Sequence, residues 1–207
     1  CNASFRQFKH AEQKQYTVPE WKNITDLSDA AVKWFTGRMI SQATLVKMKI
    51  YTAQEYMPQD QKEVEAICIP YFFQDKLYNI KFRALEKKFK MVSGAELIFY
   101  NQDALLNFED IIIVEGEIDA LSFIQCGFNN VVSVPNGAGS KLDFLDTYIG
   151  LFDNVKRVYL AVDQDTPGIT LRDELARRLG PERCMLVNFK DCKDANEYLL
   201  QYGSDFN

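Results

Sequence analysis

Carboxylates follow three of the four apolar strands predicted in the second half of the chain. Glu115 comes directly after IIIV, and Asp163 and Asp165 come directly after VYLAV. Asp194 lies at the end of the tract KDCKD, which follows the strand RCMLV. Because ligands of parallel sheets bind beyond the carboxyl ends of the strands, we expect these side chains to converge at one sheet edge. Carboxylates gathered there repel one another unless a cation joins them, so the spacing predicts a metal site.

The available ligand types narrow the choice of metal. The chain has a single histidine, His10, and five cysteines without a CxxC pair. Oxygen ligands without His or Cys select hard ions, so we expect Mg²⁺ or Mn²⁺ and no zinc. The alternative is that each aspartate only caps a helix, since Asp163 and Asp194 both precede predicted helices. Three coincident strand ends favour the metal.

Strands and helices alternate around these carboxylates. Short, mostly hydrophobic strands are each followed by a helix, and this alternation predicts a parallel sheet covered by helices on both faces. A chain of 207 residues is long enough for such a sheet and a second, smaller unit. The predicted strands and helices, in turn, span residues 110–114, 117–126, 130–134, 142–151, 157–162, 167–179, 183–187 and 194–201.

The first half of the chain is less regular. Ser28 and Ser41 are suited to cap two short helices. VEAICIPYFF and LYNIKFRAL are predicted to form a hairpin around Gln74-Asp75. Mixed strands and short helices indicate an α+β subdomain. The predicted organisation is a lead-in segment at 1–27, the basic α+β subdomain at 28–108 and the parallel-sheet domain at 109–207.

A basic segment lies in this subdomain. KFRALEKKFK, residues 81–90, carries five basic residues and one acidic residue in a chain of net charge −5. Strand alternation places Lys81 and Arg83 on one face, and Lys88 and Lys90 share a face if the next segment is extended. One interpretation is a surface that binds phosphates. The other is a solvated strand edge on which lysines prevent aggregation, and the pattern alone leaves both open.

Two motifs resemble the signatures of Toprim domains. IIIVEGEIDALS contains a strand, Glu115-Gly116 and then Asp119, and AVDQDTPG contains Asp163 and Asp165 followed by a glycine. SVPNGAGS, RRLGPERCMLV and CKDANEYL resemble segments of the bacteriophage-type primase–helicase and mitochondrial Twinkle family. WFTGRMISQATLVKMKIY resembles the helical segment before the primase core of that family, with a methionine at the usual glycine of its Arg-Gly-Ile-Ser stretch. The resemblance covers nearly the whole chain.

The resemblance implies a Toprim sheet that forms the RNA-polymerase core of a DNA primase. Such a core joins ribonucleoside triphosphates into short primers on a single-stranded DNA template, with two Mg²⁺ or Mn²⁺ ions. The implied roles are catalysis for Glu115, Asp163 and Asp165, metal binding for these three and Asp194, support behind the ligands for Asp119 and Gly116, and nucleotide or DNA contact for Lys81, Arg83, Lys88 and Lys90.

Further partners and rival functions follow from the same resemblance. The chain begins with Cys1 and not with methionine, so we expect an excised fragment. It contains neither a zinc-ligand cluster nor a Walker-type loop, and the resemblance implies a zinc-binding module and a hexameric helicase in the full-length protein or in trans. Without a signal peptide or apolar span, we expect a cytoplasmic protein of bacterial, phage or plasmid origin and no membrane contact. The alternatives are a Toprim metal-dependent nuclease and a non-priming DNA-binding module of a replicative helicase.

Overall fold

The structure is a computed structural model that describes residues 23–84, 87–139 and 142–204. Most of the predicted lead-in lies outside the described residues. The chain forms two four-stranded sheets, one antiparallel and one parallel. The predicted fold class, a parallel sheet flanked by helices and preceded by a smaller α+β unit, is confirmed. The domain boundaries given above stay predictions.

Two short helices open the described chain. Helix α1 spans Asp29–Thr36, and the Ser28 hydroxyl accepts the N–H of Ala31 at 3.2 Å. Helix α2 spans Gln42–Lys47, and Ser41 caps it in the same way through the N–H of Thr44. Both predicted caps are therefore present. Helices this short need tertiary packing to persist, and α1 supplies it by burying its apolar side.

The antiparallel sheet is a meander in strand order β1-β2-β3-β4. The predicted hairpin turns at Gln74 and Asp75, whose φ values of 50° and 61° match a two-residue hairpin loop. The first strand was not predicted because it is an edge strand whose polar and apolar residues give no clean alternation. The strands are β1 (Tyr51–Met57), β2 (Lys62–Phe73), β3 (Lys76–Ala84) and β4 (Phe89–Met91).

The parallel sheet has the strand order β6-β5-β7-β8. The chain passes from β5 to one neighbour and then returns to the other, so the order reverses between β5 and β7. This reversal point is where open α/β sheets bind their ligands. The strands are β5 (Asp110–Val114), β6 (Val131–Ser133), β7 (Arg157–Leu160) and β8 (Cys184–Leu186), and the helices are α3 (Ala104–Asn107), α4 (Glu117–Gln125), α5 (Asp143–Tyr148), α6 (Thr166–Leu179) and α7 (Ala195–Tyr202).

Two hydrophobic cores cover the parallel sheet, one on each face. Alternate residues of β5 enter them: Ile112 and Val114 lie in one core, and Ile111 and Ile113 lie in the other. The first core also contains residues of α1, β2, α4 and α7. The antiparallel sheet is therefore packed directly against the parallel sheet through a shared core. None of the helices in the described ranges has the length and apolar character needed to cross a membrane.

Candidate metal centre

Three of the predicted ligands converge at the point where the strand order reverses. Glu115 follows β5, and Asp163 and Asp165 follow its neighbour β7. One carboxylate oxygen of each residue lies within 4.8 Å of the corresponding oxygens of the other two. The adjacency of the strands thus places three carboxylates close enough to share one cation.

Local backbone geometry positions the two aspartates. The Asp165 carboxylate accepts the N–H of Gly168 at 3.0 Å and so caps helix α6. A Cβ at Gly168 would lie 2.1 Å from the carbonyl oxygen of Asp163, so only glycine allows the helix to begin this close to the strand end. Asp165 therefore does cap a helix, as the alternative interpretation proposed for other aspartates. The cap does not exclude metal binding, because it holds the Asp165 carboxylate beside Glu115 and Asp163.

The electrostatics of the cluster suit a bound cation. Burial and the neighbouring Asp163 carboxylate raise the pKa of Glu115. Burial also raises the pKa of Asp163, whereas the N–H of Gly168 lowers the pKa of the more exposed Asp165. Glu115 Oε2 is buried and has no hydrogen-bond partner among the described residues. A buried acceptor without a donor, in a set of ligands made only of oxygen, suits a hard divalent ion.

One lysine reaches into this cluster. Lys193 Nζ lies 3.0 Å from Asp163 Oδ2 and 3.2 Å from Asp165 Oδ2. The two carboxylates raise the pKa of Lys193 above its ordinary value, so the side chain is an ammonium. Sequence analysis considered the tract KDCKD only as the source of Asp194 and missed this residue.

Asp194 and Asp119 lie beside the cluster. The Asp194 carboxylate accepts the N–H of Glu197 at 2.8 Å and caps α7. Asp119 Oδ1 accepts the N–H of Asn196 at 3.2 Å. Burial and the charges of Asp194 and Asp163 raise the pKa of Asp119 well above its ordinary value. Asp194 is not part of the group of three, so its metal-binding role stays a prediction.

Gly116 forms the start of α4 between these carboxylates. It is the N-cap of the helix, and a Cβ there would lie 3.3 Å from Asp119 Oδ2. A larger residue at this position would press on the Asp119 carboxylate. The support predicted for Gly116 and Asp119 therefore has a geometric basis, although their contribution to metal binding remains a prediction.

Lys81 lies on the face of the antiparallel sheet that packs against the parallel sheet. Its Nζ lies 2.8 Å and 3.0 Å from the two carboxylate oxygens of Glu117 and 3.1 Å from the Pro135 carbonyl oxygen. The Tyr71 hydroxyl also donates to Glu117, and the carboxylate is almost entirely buried. The ion pair thus joins β3 to the start of α4, two residues after Glu115.

Arg83 lies on the same face but has different partners. Its guanidinium lies over the rings of Trp34 and Phe89, 4.6 Å and 5.0 Å from their centroids. The side chain forms no ion pair among the described residues, and its Nε is buried without a hydrogen-bond partner there. Arg38 stacks on Trp34 as well, at 3.6 Å. Two guanidinium groups therefore share one indole beside the junction of the sheets.

Lys88 and Lys90 point to the opposite face of the antiparallel sheet. Lys90 pairs across the strands with Phe82, whose side chain lies on the face away from Lys81. Its Nζ lies 2.9 Å from Glu55 Oε2, and Lys88 forms an ion pair with Asp60. The four predicted basic residues are thus divided between two faces, and all three lysines have acidic partners within the chain.

Comparisons with known proteins match this architecture. The family described as Toprim-like matches residues 112–199, which span β5 to α7. Residues 112–199, called the Toprim-like domain after this match, have a Toprim-like fold. A crystal structure of the primase fragment of the bacteriophage T7 primase-helicase protein matches with a TM-score of 0.70 and 26% identity, over 83% of this chain and 69% of that chain.

Two proteins of Arabidopsis thaliana extend the similarity beyond the Toprim-like domain. The Primase homolog protein is 34% identical over 92% of this chain and 60% of its own length. The Twinkle homolog protein, chloroplastic/mitochondrial, is 32% identical over 92% of this chain and 29% of its own length. The predicted resemblance to Toprim primases of the phage and Twinkle type is confirmed. The chain spans about 60% or less of the length of these two relatives.

The Toprim-like domain also contains functional candidates that sequence analysis missed. Glu117 lies inside the quoted EGEIDA motif, but only the structure shows that it binds Lys81. Lys193 precedes Asp194 directly, so its place beside the strand ends was available from the sequence. A lysine in a tract of alternating charge gives no sign of which carboxylates it contacts, because those contacts join distant loops.

Proposed function

We propose that the chain is the catalytic core of a DNA primase, which synthesises short RNA primers on single-stranded DNA by metal-dependent nucleotidyl transfer. The observation that carries the proposal is the convergence of Glu115, Asp163 and Asp165 at the edge of a Toprim-like sheet. The relationship to primases supports a primase-like role in DNA replication. The specific reaction is our inference from the chemistry of the site.

The basic strand meets the parallel sheet at the same edge. Lys81 contacts Glu117 and Pro135, and Gly137, two residues later, lies near Glu115: a Cβ there would be 3.5 Å from Glu115 Oε1. The Lys81 ammonium therefore contacts the loop that borders the predicted metal site. Phosphoryl transfer needs this combination, since charge must be neutralised on both the attacking and the leaving oxygens.

In this proposal the three carboxylates hold one or two Mg²⁺ or Mn²⁺ ions. Bound metal would activate the 3′-hydroxyl of the primer and stabilise the departing pyrophosphate. Glu115, Asp163 and Asp165 would fix the position of the metal, and Asp194 would join them with the carboxylate oxygen that does not accept the N–H of Glu197. Asp119 and Gly116 would hold the start of α4 in place behind Glu115.

Arginines are the strongest candidates for phosphate contact in this chain. Arg83 and Arg38 have aromatic rings as partners and no carboxylate ion pair among the described residues. Lys81, Lys88 and Lys90 would have to exchange a carboxylate for a phosphate before binding nucleotide or DNA. Arginine also suits the task because its planar guanidinium can bind two phosphate oxygens at once.

A primer-extension assay tests the proposal. The reaction would contain Mg²⁺ or Mn²⁺, labelled ribonucleotides, a mixed single-stranded template and a dinucleotide that bypasses initiation. We expect template-dependent extension by the wild-type chain and a loss of at least about 100-fold in Asp163→Asn. Asp173→Asn, an exposed aspartate of α6, is the matched control and is expected to retain activity. Equal extension by wild type and Asp163→Asn would refute the proposal.

The ion pairs formed by the basic segment's lysines favour a second candidate function, a non-priming DNA-binding module of a replicative helicase. Lys81, Lys88 and Lys90 all bind carboxylates of the chain, which reduces the positive charge available to a template. Such a module would bind single-stranded DNA equally with and without Mg²⁺ and would give no extension. Metal-dependent degradation of the template in the same assay would instead indicate a Toprim nuclease.

We also propose that a longer protein, or proteins in trans, complete the function. The relatives are named as a Twinkle homolog and a primase-helicase protein, and the chain corresponds to part of each. A zinc-binding module for template recognition and a hexameric helicase are the expected additions. Adding such a helicase to the extension assay should increase primer synthesis if the partnership is correct.

A further inference from the structure

We infer that Lys193 is an internal counter-cation of the metal site, which occupies the Asp163–Asp165 pair in the metal-free protein and must be displaced when a divalent ion binds. The inference rests on the proposed metal site, and it adds a competitor to that site. Its basis is the position of one ammonium between two of the three candidate ligands.

The ammonium contacts the same side chains that the metal would need. Lys193 Nζ lies 3.0 Å from Asp163 Oδ2 and 3.2 Å from Asp165 Oδ2. Glu115, the third member of the cluster, has a buried oxygen without a partner. A single positive charge therefore forms ion pairs with two carboxylates and leaves one oxygen of the third without a partner. A divalent ion would compensate all three, so it has a reason to replace the lysine.

The side chain can leave without disturbing the loop that carries it. The N–H of Gln164 donates to the Lys193 carbonyl oxygen at 2.9 Å, and the Gln164 side chain donates to the Cys192 carbonyl oxygen at 2.6 Å. The N–H of Lys193 donates to Glu197 at 2.8 Å. The backbone is thus held on both sides of the lysine, independently of its ammonium.

Exposure gives the direction in which the lysine would leave. The Lys193 side chain is 50% exposed, whereas that of Asp163 is 14% exposed. The ammonium therefore reaches the cluster from the solvent side, where an ion must also enter. Displacement would move a flexible side chain back into water and cost little, because half-exposed ion pairs contribute only modestly to stability.

Calorimetric titration with Mn²⁺ provides a test that does not depend on activity. Lys193→Met removes the competing charge and keeps the length of the apolar side chain, so we expect Mn²⁺ to bind about three- to ten-fold more tightly. Lys193→Arg retains the charge and should bind Mn²⁺ much as the wild type does. Lys190→Met is the matched control, since Lys190 lies in the same loop but over the ring of Tyr202; it should change the affinity less than Lys193→Met.

Thermal unfolding in the presence of a chelator tests the claim that Lys193 compensates Asp163 and Asp165 when no metal is bound. Without metal, Lys193→Met should melt about 2 °C lower than the wild type, because the carboxylates then repel one another without compensation. In the background Asp163→Asn the same substitution should lower the melting temperature by less. Equal shifts in the two backgrounds would show that Lys193 does not compensate Asp163 and would overturn the inference.

The outcomes separate the counter-cation from the metal site itself. Mn²⁺ binding by the wild type that weakens in Asp163→Asn supports the site. If binding is then unchanged or weaker in Lys193→Met, the inference about Lys193 is wrong and the metal site stands. If the wild type binds no Mn²⁺, the metal site and the displacement both fail.

Discussion

In the antiparallel sheet, Lys81, Lys88 and Lys90 each form an ion pair with a carboxylate. At the carboxyl edge of the parallel sheet, in contrast, three carboxylates lie together and one lysine contacts two of them. Lys90 and Glu55 show the first arrangement, in which charges from neighbouring strands neutralise each other. The cluster around Asp163 shows the second, in which like charges are held together. Pairing of opposite charges can be explained by folding alone. A gathering of like charges needs another reason, and binding of a cation supplies it.

The two arrangements also differ in how the backbone holds the charged side chains in place. Lys90 reaches Glu55 across the sheet and also donates to the Tyr56 carbonyl oxygen at 2.7 Å, but neither side chain caps a helix. Asp165, in contrast, is fixed by the N–H of Gly168, and the tight approach of that glycine to Asp163 fixes the strand end. Backbone contacts thus fix the positions of Asp163 and Asp165, which is typical of a preorganised site.

The largest effect is expected from the buried ion pair that joins the two sheets. Glu117→Gln would leave the Lys81 ammonium buried without a negative partner, and we expect a loss of about 3–5 kcal/mol in the free energy of unfolding. Urea unfolding monitored by circular dichroism measures it. Glu55→Gln, which breaks the more exposed pair with Lys90, is the control and should cost about 1 kcal/mol or less. Equal losses would show that the Lys81–Glu117 pair is no more important than a surface pair.

A smaller effect is expected where the backbone fixes the carboxylates. In Gly168→Ala the new Cβ would lie 2.1 Å from the Asp163 carbonyl oxygen, so the start of α6 must shift. We expect a loss of about 1–3 kcal/mol in the free energy of unfolding, typical of an overpacked position. Because Asp163 and Asp165 shift with the helix, Mn²⁺ affinity should fall as well.

Gly150→Ala is the matched control for this substitution. A Cβ at Gly150 meets only an ordinary contact, 3.9 Å from an Asp153 oxygen. It should leave Mn²⁺ affinity unchanged. If Gly168→Ala bound Mn²⁺ as tightly as Gly150→Ala, the close approach of the glycine would not be what positions the ligands.

Much of the carboxylate edge could be predicted from the sequence, because its position follows from local patterns. The strands that end before Glu115 and Asp163 are short hydrophobic runs, and adjacency of their ends follows from the rules of parallel sheets. The helix caps at Ser28 and Ser41 were predictable for the same reason, since a cap and its N–H are three residues apart.

Pairings between distant segments could not be predicted in this way. Lys81 and Glu117 are 36 residues apart and meet only because the antiparallel sheet packs on α4. Lys193 contacts Asp163 through two loops that follow different strands. The division of the basic residues between two faces depends on the register of β4, and Lys88 and Lys90 gave no sign of that register in the sequence. The face of a short strand is fixed by its partner, not by its own residues.

The smallest effect concerns a carboxylate of the Toprim-like domain that has partners of opposite charge. Hydrogen bonds from Arg177 and Arg178 lower the pKa of Glu174 to about 2, whereas the pKa values of Glu115 and Asp163 are raised. A carboxylate with a lowered pKa in the folded state stabilises the fold above its unfolded value of 4.5, and this contribution disappears as the pH falls towards 2. Glu174→Gln should therefore lower the urea midpoint slightly at about pH 6, and the difference from wild type should shrink by about pH 3. A difference that stays constant between these pH values would mean that Glu174 acts through packing, and the contrast between paired and gathered carboxylates would then lose its electrostatic basis.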